Sequence, residues 1–332
     1  MQNLLNLIQS HKTELIIGSI LTSALFLVKR KFRPNPKFES IKNLKVNNKV
    51  AIITGGNDGI GFETALDLAF RDAIVIIACR NATKSQEAVE KIKKFSKNEN
   101  VFYEHLDLSS LDSVESFCKK IIQNYKQVDI LINNAGIAQN PKQTTKDGFD
   151  LQLQTNYIGH YLLTRLLLDL LSQSPYGRII NVTSILYKSG RIRWDDINMN
   201  ENYKPSEMYK ESKLCLILFT NYLKEYYKKT NAKNVRAFSV SPGIVFTNLG
   251  RYRKGFGILK YIFYPLLWFL LKTPKQGAEC SIYCAVKPDL TEKEGFMFRN
   301  CEQIELLPHA KNADDSLKLW NLTQDMLKEY HV

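Results

Sequence analysis

The chain has 332 residues, which suits one large α/β domain rather than one small core. Its 44% hydrophobic and 24% charged residues, with only 10 prolines, describe a globular chain without repeats or low-complexity tracts. The formal net charge is +13, yet no zinc-finger spacing or other nucleic-acid motif occurs and the lysines are scattered. A nucleic-acid partner is therefore set aside in favour of a membrane surface, an anionic cofactor and general solubility. The six cysteines, at 79, 118, 215, 280, 284 and 301, form no CxxC pair and fall largely in apolar surroundings. They read as reduced thiols, not as a disulfide framework or zinc site. Asn-x-Thr sequons begin at Asn81, Asn181 and Asn321, but the one at Asn181 lies in a strand-like run, so all three read as chance matches.

The first feature along the chain is an uncharged run from Leu15 to Val28. It is shorter than the about 20 residues a spanning helix needs. The basic residues Lys29, Arg30, Lys31 and Arg33 follow the run, whereas a secretory signal carries them in front. Residues 1–31 therefore read as an uncleaved membrane anchor with a basic flank that keeps the main domain on the cytosolic side. An amphipathic or core helix is the alternative. Pro34 and Pro36 mark a linker over 32–44, and the folded domain is expected over 45–332.

From Lys49 onward, strand-length apolar runs alternate with helical stretches. The strands are KVAIITG, AIVIIACR, VFYEHLDL, VDILINNAG, GRIINVTS, VRAFSVSPG and GFMFRN. Helices are expected over 59–70, 83–95, 111–124, 148–172, 206–229 and 274–286, with a closing helix over 312–330. Continuous apolar strands separated by helices predict a single-domain, Rossmann-like doubly wound parallel sheet of about seven strands. The stretch ITGGNDGIG follows the first strand and opens a helix, with Gly55, Gly59 and Gly61 spaced G-x-x-x-G-x-G. Such a loop brings backbone N–H groups and the positive end of a helix up to a pyrophosphate. A tight turn without a ligand is the plainer reading. Farther on, Tyr209 and Lys213 in YKESK share one helix face, an arrangement that an exposed pair would also produce.

Taken in order, TGGNDGIG (54–61), Asp107, NNAG (133–136), Asn156, Ser184, Tyr209 with Lys213, and PGIVFT (242–247) resemble the short-chain dehydrogenase/reductase family over about residues 45–300. ACRN, RIINVTSILY, SPGIVFTNL and LWNLTQDML are similar to blocks of its membrane-bound retinol dehydrogenase group. The resemblance implies cofactor contacts from Gly55, Asn57, Asp58, Gly59, Ile60, Gly61, Asp107, Asn134, Gly136, Tyr209, Lys213, Pro242, Gly243 and Thr247. Asp107 could instead cap the helix after it. Where an NAD enzyme of this plan carries an acid at the end of the second strand, this chain has Cys79 followed by Arg80. Arg80 can clamp a 2′-phosphate, so NADP(H) is expected over NAD(H), with Lys84 adding charge.

The resemblance makes Asn156, Ser184, Tyr209 and Lys213 the catalytic set. Tyrosine's reference pKa is about 10, so it needs a neighbouring cation to act near neutrality. Lys213 would supply it, and Ser206 would cap the helix to put Tyr209 near its positive end. Ser184 would hold the substrate oxygen, and Asn156 a water in the proton path. Each has a plainer reading: a strand-end cap for Ser184, a satisfied core amide for Asn156. Lys210 and Glu211 are expected to be solvated. Residues 255–271, GFGILKYIFYPLLWFLL, lie where the family carries a variable substrate lid. They read as an apolar entrance dipping into lipid, or else as a lid helix packed on the core. A hydrophobic alcohol, aldehyde or ketone follows, with retinol/retinal first and lipid aldehydes or steroid ketones as alternatives. The expected setting is the endoplasmic reticulum membrane, with a mitochondrial membrane as the alternative. A non-catalytic NADP-binding membrane scaffold is the competing class, and self-association stays open.

Overall fold

The computed structural model describes residues 35–230, 232, 234–245, 271–288, 290 and 296–330. The expected anchor at 1–31, Thr247 and all of the apolar segment 255–271 except Leu271 lie outside the described residues. Among the described residues, no helix is long and apolar enough to cross a membrane.

A short helix, α1 (Pro36–Glu39), precedes strand β1 (Val50–Thr54). Then come α2 (Gly59–Phe70), β2 (Ile74–Cys79), α3 (Ala82–Ser96), β3 (Val101–His105), α4 (Leu111–Asn124) and β4 (Ile130–Asn133). The fourth crossover holds α5 (Leu151–Leu153), a π-helical turn (Gln154–Ile158), α6 (Gly159–Leu166) and α7 (Leu168–Gln173). The chain continues through β5 (Arg178–Val182), α8 (Pro205–Lys229), β6 (Arg236–Ser241) and α9 (Pro274–Val286). It closes with β7 (Phe296–Arg299), β8 (Glu302–Glu305), α10 (Pro308–Lys311) and α11 (Ala313–Met326).

The sheet order is β3-β2-β1-β4-β5-β6-β7-β8. Pairing is parallel from β3 through β7, and β8 adds an antiparallel edge. The expected seven strands thus become eight, because EQIE lacks the apolar run that marks the others. Strand order reverses between β1 and β4, which opens a crevice at their carboxyl ends. Every residue of β1, β4 and β5 is buried, as a sheet covered on both faces requires. Alternate side chains serve opposite layers: Val50 and Ile52 join α4, the fourth crossover and α8, while Ala51 and Ile53 join α2, α3 and α9.

Local chemistry fixes the helix ends. Asp58, Asn81 and Ser110 cap α2, α3 and α4, and Thr273 forms a capping box with Gln276 on α9. The single helix expected over 148–172 is instead broken by the π turn. Gly159 follows it at a close approach, since a Cβ there would meet the Leu108 carbonyl oxygen at 2.6 Å. The part of the expected linker that is described is packed: Ile41 is fully buried, and Arg71 Nη1 donates to the carbonyls of Ile41 and Leu44 at 2.6 and 2.7 Å. Asn181 is fully buried and hydrogen-bonded to Asn133 and Thr220, as expected of a sequon that matches by chance.

Helix α11 covers α8 with a cluster of rings. Trp320 lies 4.5 Å from Tyr222, 5.2 Å from Tyr161 and 6.1 Å from Phe219, with the Arg165 guanidinium 4.9 Å from its ring. Truncation would leave a large void among groups fixed by the sheet. Trp320→Ala is expected to lower unfolding stability by about 3–5 kcal/mol, read from urea titration with an unchanged slope.

Candidate active site

A cleft of about 650 Å³ opens at the strand-order reversal. Its floor begins with the glycine loop. Gly55 has φ +65°, and a Cβ on Gly61 would meet the Gly55 carbonyl oxygen at 2.2 Å. These positions exclude any larger side chain and let backbone reach the cleft. Asn57, Asp58, Gly59 and Ile60 also line it, at the amino end of the twelve-residue α2. Anions are favoured at such an end. Asp58 spends one carboxylate oxygen on its own cap, accepting from Gly59 N at 2.7 Å.

Past the loop, Cys79, Arg80, Asn81, Lys84 and Asp107 form one wall. The buried Cys79 thiol lies under backbone N–H groups of Gly55, Gly56 and Asn57, and burial pushes its pKa up. It holds the loop as a neutral group and offers no carboxylate to a ribose. Arg80 is 64% exposed, with Nη1 3.9 Å from Asp107 Oδ2. Asp107 accepts from Ser109 N at 3.0 Å and from Ser109 Oγ at 2.6 Å, while Ser110 caps α4. The carboxylate therefore organises the turn before α4 and still lines the cleft.

Asn134 and Gly136 form the opposite wall. Asn134 Nδ2 donates to Thr54 O at 2.8 Å, and the Asn134 and Ala135 N–H groups both donate to Thr54 Oγ1 at 2.9 Å. Thr54 ties the end of β1 to the turn after β4, a role its place at the end of an apolar strand signals and sequence reading passed over. Gly136 has Lys213 beside it: a Cβ would stand 3.6 Å from Lys213 Nζ and 3.2 Å from Asn156 Oδ1. Asn156 sits in the π turn, fully buried behind this wall. Its Oδ1 accepts from Ile137 N at 2.9 Å, and its Nδ2 donates to Ile137 O and Ser212 Oγ, both at 3.0 Å. Its side chain clamps the turn beside Lys213, the satisfied-amide reading of this position.

Tyr209 and Lys213 reach the cleft from the first turns of α8. Lys213 Nζ donates to Val182 O at 2.9 Å and lies 5.8 Å from the Tyr209 ring centre. Burial lowers the lysine pKa to about 8. Burial also raises Tyr209 to about 12, against the opposing pull of a hydrogen bond with Ser184. The chain's own groups thus keep Tyr209 protonated at neutral pH, where Lys213 remains largely cationic. Ser184 caps a 3₁₀ turn, accepting from Leu186 N at 3.3 Å, and its link to Tyr209 brings it to the site.

Pro242 lines the cleft. Gly243, at φ +87°, packs instead against the Lys272 stem. The cleft also takes in Thr183 from RIINVTSILY, and Leu108, Gln143, Leu151 and Thr155, which no sequence motif singled out.

The site so assembled joins an anion-favouring glycine loop to a buried tyrosine and lysine and a half-buried serine. A sequence model of the short chain dehydrogenase family matches residues 49–254. The chain belongs to that family. Retinol dehydrogenase 14 of Homo sapiens is 36% identical over 332 residues, covering 95% of this chain and 98% of that one. Retinol dehydrogenase 13 of Homo sapiens is 39% identical over 278 residues, covering 83% of each. The crystal structure of an uncharacterized protein from Mycobacterium paratuberculosis aligns with TM-score 0.67 at 30% identity, covering 86% of this chain and 96% of that one. As a short-chain dehydrogenase of the retinol dehydrogenase group, the chain is a nicotinamide-dependent oxidoreductase acting on CH–OH groups.

Two details of this dehydrogenase's α8 differ from expectation. The cap is Lys204, without a side-chain bond, and Pro205 rather than a serine cap starts the helix. Glu211 is fully buried instead of solvated, because the chain between Ser184 and Tyr209 folds over it. It accepts from Arg193 N at 2.8 Å and from Arg193 Nη1 at 3.2 Å, whereas Lys210 pairs with Glu207 at 2.8 Å. Burial outweighs the guanidinium and raises the Glu211 pKa to about 7. The folded chain therefore holds this proton more tightly than the unfolded one, and its contribution to stability is lost as pH rises from the ordinary carboxylate range toward 7. The urea midpoint of the wild type is expected to fall across that window, and Glu211→Gln to flatten that part of the profile.

Proposed function

We propose that this enzyme uses NADP(H) to interconvert a hydrophobic alcohol with its aldehyde or ketone, with retinol/retinal the leading pair. The observation that carries the reading is the buried Tyr209 flanked by Lys213 in the cleft, with Ser184 close enough to oppose the rise of its pKa. Lipid-derived aldehydes and steroid ketones remain the alternative substrates. The names of the two human relatives support retinol.

The cleft suits a dinucleotide in size and in its glycine cradle. Gly55, Gly59, Ile60 and Gly61 would face the pyrophosphate, Asp107 the adenine end, and Asn134 and Gly136 the inner end. Arg80, with Lys84 and Asn81 beside it, would hold the 2′-phosphate; Cys79 leaves no acid there to repel it. Bound NADP(H) supplies or accepts a hydride.

The chain's own part is to position and protonate. Ser184 Oγ–H would hold the carbonyl oxygen while Tyr209, protonated at neutral pH, delivers its proton to that oxygen as negative charge develops. Lys213 then stabilises the tyrosinate by its charge. Asn156 keeps the turn at Gly136 against Lys213 by holding both polar groups of Ile137.

A lipid-facing entrance fits the way the chain leaves the described fold. Asn35 Nδ2 donates to Asn300 O at 2.9 Å, and Lys272 Nζ donates to Asn300 Oδ1 at 2.7 Å. Val245 bridges Lys272, so the described ends nearest both apolar stretches, 15–28 and 255–271, meet at one corner. This shared corner supports attachment at a membrane; the cytosolic facing of the catalytic domain rests on the basic flank Lys29, Arg30, Lys31 and Arg33, and the endoplasmic reticulum is proposed ahead of a mitochondrial membrane.

Oxidation of NADPH by the membrane-bound enzyme should be followed with retinal, a long-chain aldehyde and a steroid ketone. Fastest turnover of retinal is expected, and Tyr209→Phe should abolish reduction while leaving NADPH binding intact. Full turnover by that variant would refute the proton-donor role. Separately, Arg80→Glu should raise the KM for NADPH by roughly tenfold or more, the scale of a lost charge-assisted contact. The NADH value should change little, and equal effects on both cofactors would overturn the assignment.

A further inference from the structure

His160 lies on α6, one turn after Asn156, and is fully buried. Its ring touches two parts of the site at once. Nδ1 is 3.0 Å from the Asn156 carbonyl oxygen, and Nε2 is 2.9 Å from Thr54 Oγ1. The carbonyl has no proton to give, so Nδ1 carries the ring hydrogen and Nε2 accepts. The Thr54 hydroxyl proton therefore goes to Nε2. Its two lone pairs take the N–H groups of Asn134 and Ala135, each at 2.9 Å. Every hydrogen-bonding position of that hydroxyl is then used, and the Ile132 carbonyl at 3.4 Å is left as a weak alternative.

We propose that His160 is a positioning residue that locks the π turn carrying Asn156 to the β4 turn lining the cofactor cleft. This inference rests on the oxidoreductase reading of the site for its kinetic consequence, though not for its structural one. The π turn leaves the Asn156 carbonyl facing the ring four residues on, and the ring relays that contact through Thr54 to the Asn134–Ala135 backbone. The Asn156 side chain closes the circuit by holding Ile137, just past Gly136. Gly136 stands between Asn156 and Lys213, so displacement of the turn would move the cleft wall relative to the lysine. The ring works in one neutral tautomer: burial and the nearby Lys213 charge push its pKa down to about 3. It does not exchange protons with substrate.

The test separates the two contacts. His160→Phe keeps the ring volume and removes both. His160→Asn can place an amide N–H near the Nδ1 position, while His160→Gln can place an amide oxygen near Nε2. His160→Phe is expected to lower kcat for carbonyl reduction by roughly 10- to 100-fold, the scale of a displacement near 1 Å at a reacting site. Each amide variant restores one contact without rejoining the two turns, so each should recover only part of that loss. Wild-type kcat in folded His160→Phe, or in either amide variant, would overturn the proposal. Should His160→Phe not fold, the amide pair decides. Nitrogen-15 spectra of histidine-labelled wild-type protein give a readout independent of activity. For the His160 ring, picked out among the chain's five histidines by its absence from the His160→Asn spectrum, a single Nδ1–H tautomer that does not titrate from about pH 5 to about pH 9 is expected, and an Nε2–H tautomer or titration of that ring would refute the lock. If the wild type reduces no carbonyl yet shows the expected spectrum, the functional reading fails and the structural lock stands.

Discussion

A buried ammonium sets the terms for this site. Lys213 is 4% exposed, and its ammonium donates to the carbonyl of Val182 at 2.9 Å. Burying a charge this far is costly, and the fall of its pKa to about 8 expresses that cost. The fold accepts it because α8 crosses the carboxyl end of β5, where the strand's last carbonyl is free to receive the lysine. The neighbouring wall must then be slim. Gly136 provides this, since a Cβ there would crowd Asn156 Oδ1 at 3.2 Å and already touch Lys213 Nζ at 3.6 Å. Tyr209, one turn earlier on the same helix, inherits its position from that anchoring and its high pKa from the same burial.

Ser184 is fixed by different means. It stands at the start of a 24-residue excursion before Tyr209, and a segment of that length needs pins. Glu211 supplies one by accepting both the backbone and the guanidinium of Arg193. Gly190 supplies a second: a Cβ there would meet the Lys210 carbonyl oxygen at 2.7 Å, so the excursion lies directly on α8. Tyr187 supplies a third, fully buried, with its hydroxyl accepting from Leu307 N at 3.3 Å. The end of the chain thus braces the loop that carries the serine. Tyr187, Gly190, Arg193 and Glu211 do not line the cleft, so they bear on the site through the loop rather than by touching a ligand.

How much of this was legible depended on whether the signal is local. Continuous apolar strands such as AIVIIACR announce a sheet covered on both faces, and TGGNDGIG announces a loop that must approach something closely. Both survive translation into structure almost residue for residue: the helices expected at 59–70, 111–124 and 274–286 have those bounds. Long-range partners left no such mark. Glu211 reads as a surface residue in YKESK because the chain that buries it lies eighteen residues upstream. His160 reads as one polar residue in an apolar helix, and its two partners, Asn156 and Thr54, come from a turn and a strand end. Strand β8 escaped because its four residues carry three polar side chains and pair only with β7. The π turn is invisible to periodicity, since it shifts the helix by less than one turn.

The wall formed by Arg80 and Asp107 shows how a site can hold opposite charges without cancelling its purpose. Their 3.9 Å separation and the arginine's 64% exposure make the pair a loose one. Exposed pairs of this kind contribute about 0–1 kcal/mol, so the guanidinium can turn to another anion at little cost. A phosphate offers Arg80 a doubly charged partner with three acceptor oxygens, which is the stronger bond. Asp107 loses little in that exchange because Ser109 already supplies it with a backbone N–H and a hydroxyl. The carboxylate therefore orders the turn whether or not the arginine leaves it. An acid at the Cys79 position would set a second negative charge against the 2′-phosphate of the proposed NADP(H), and the thiol there, neutral and occupied with the glycine loop, avoids it.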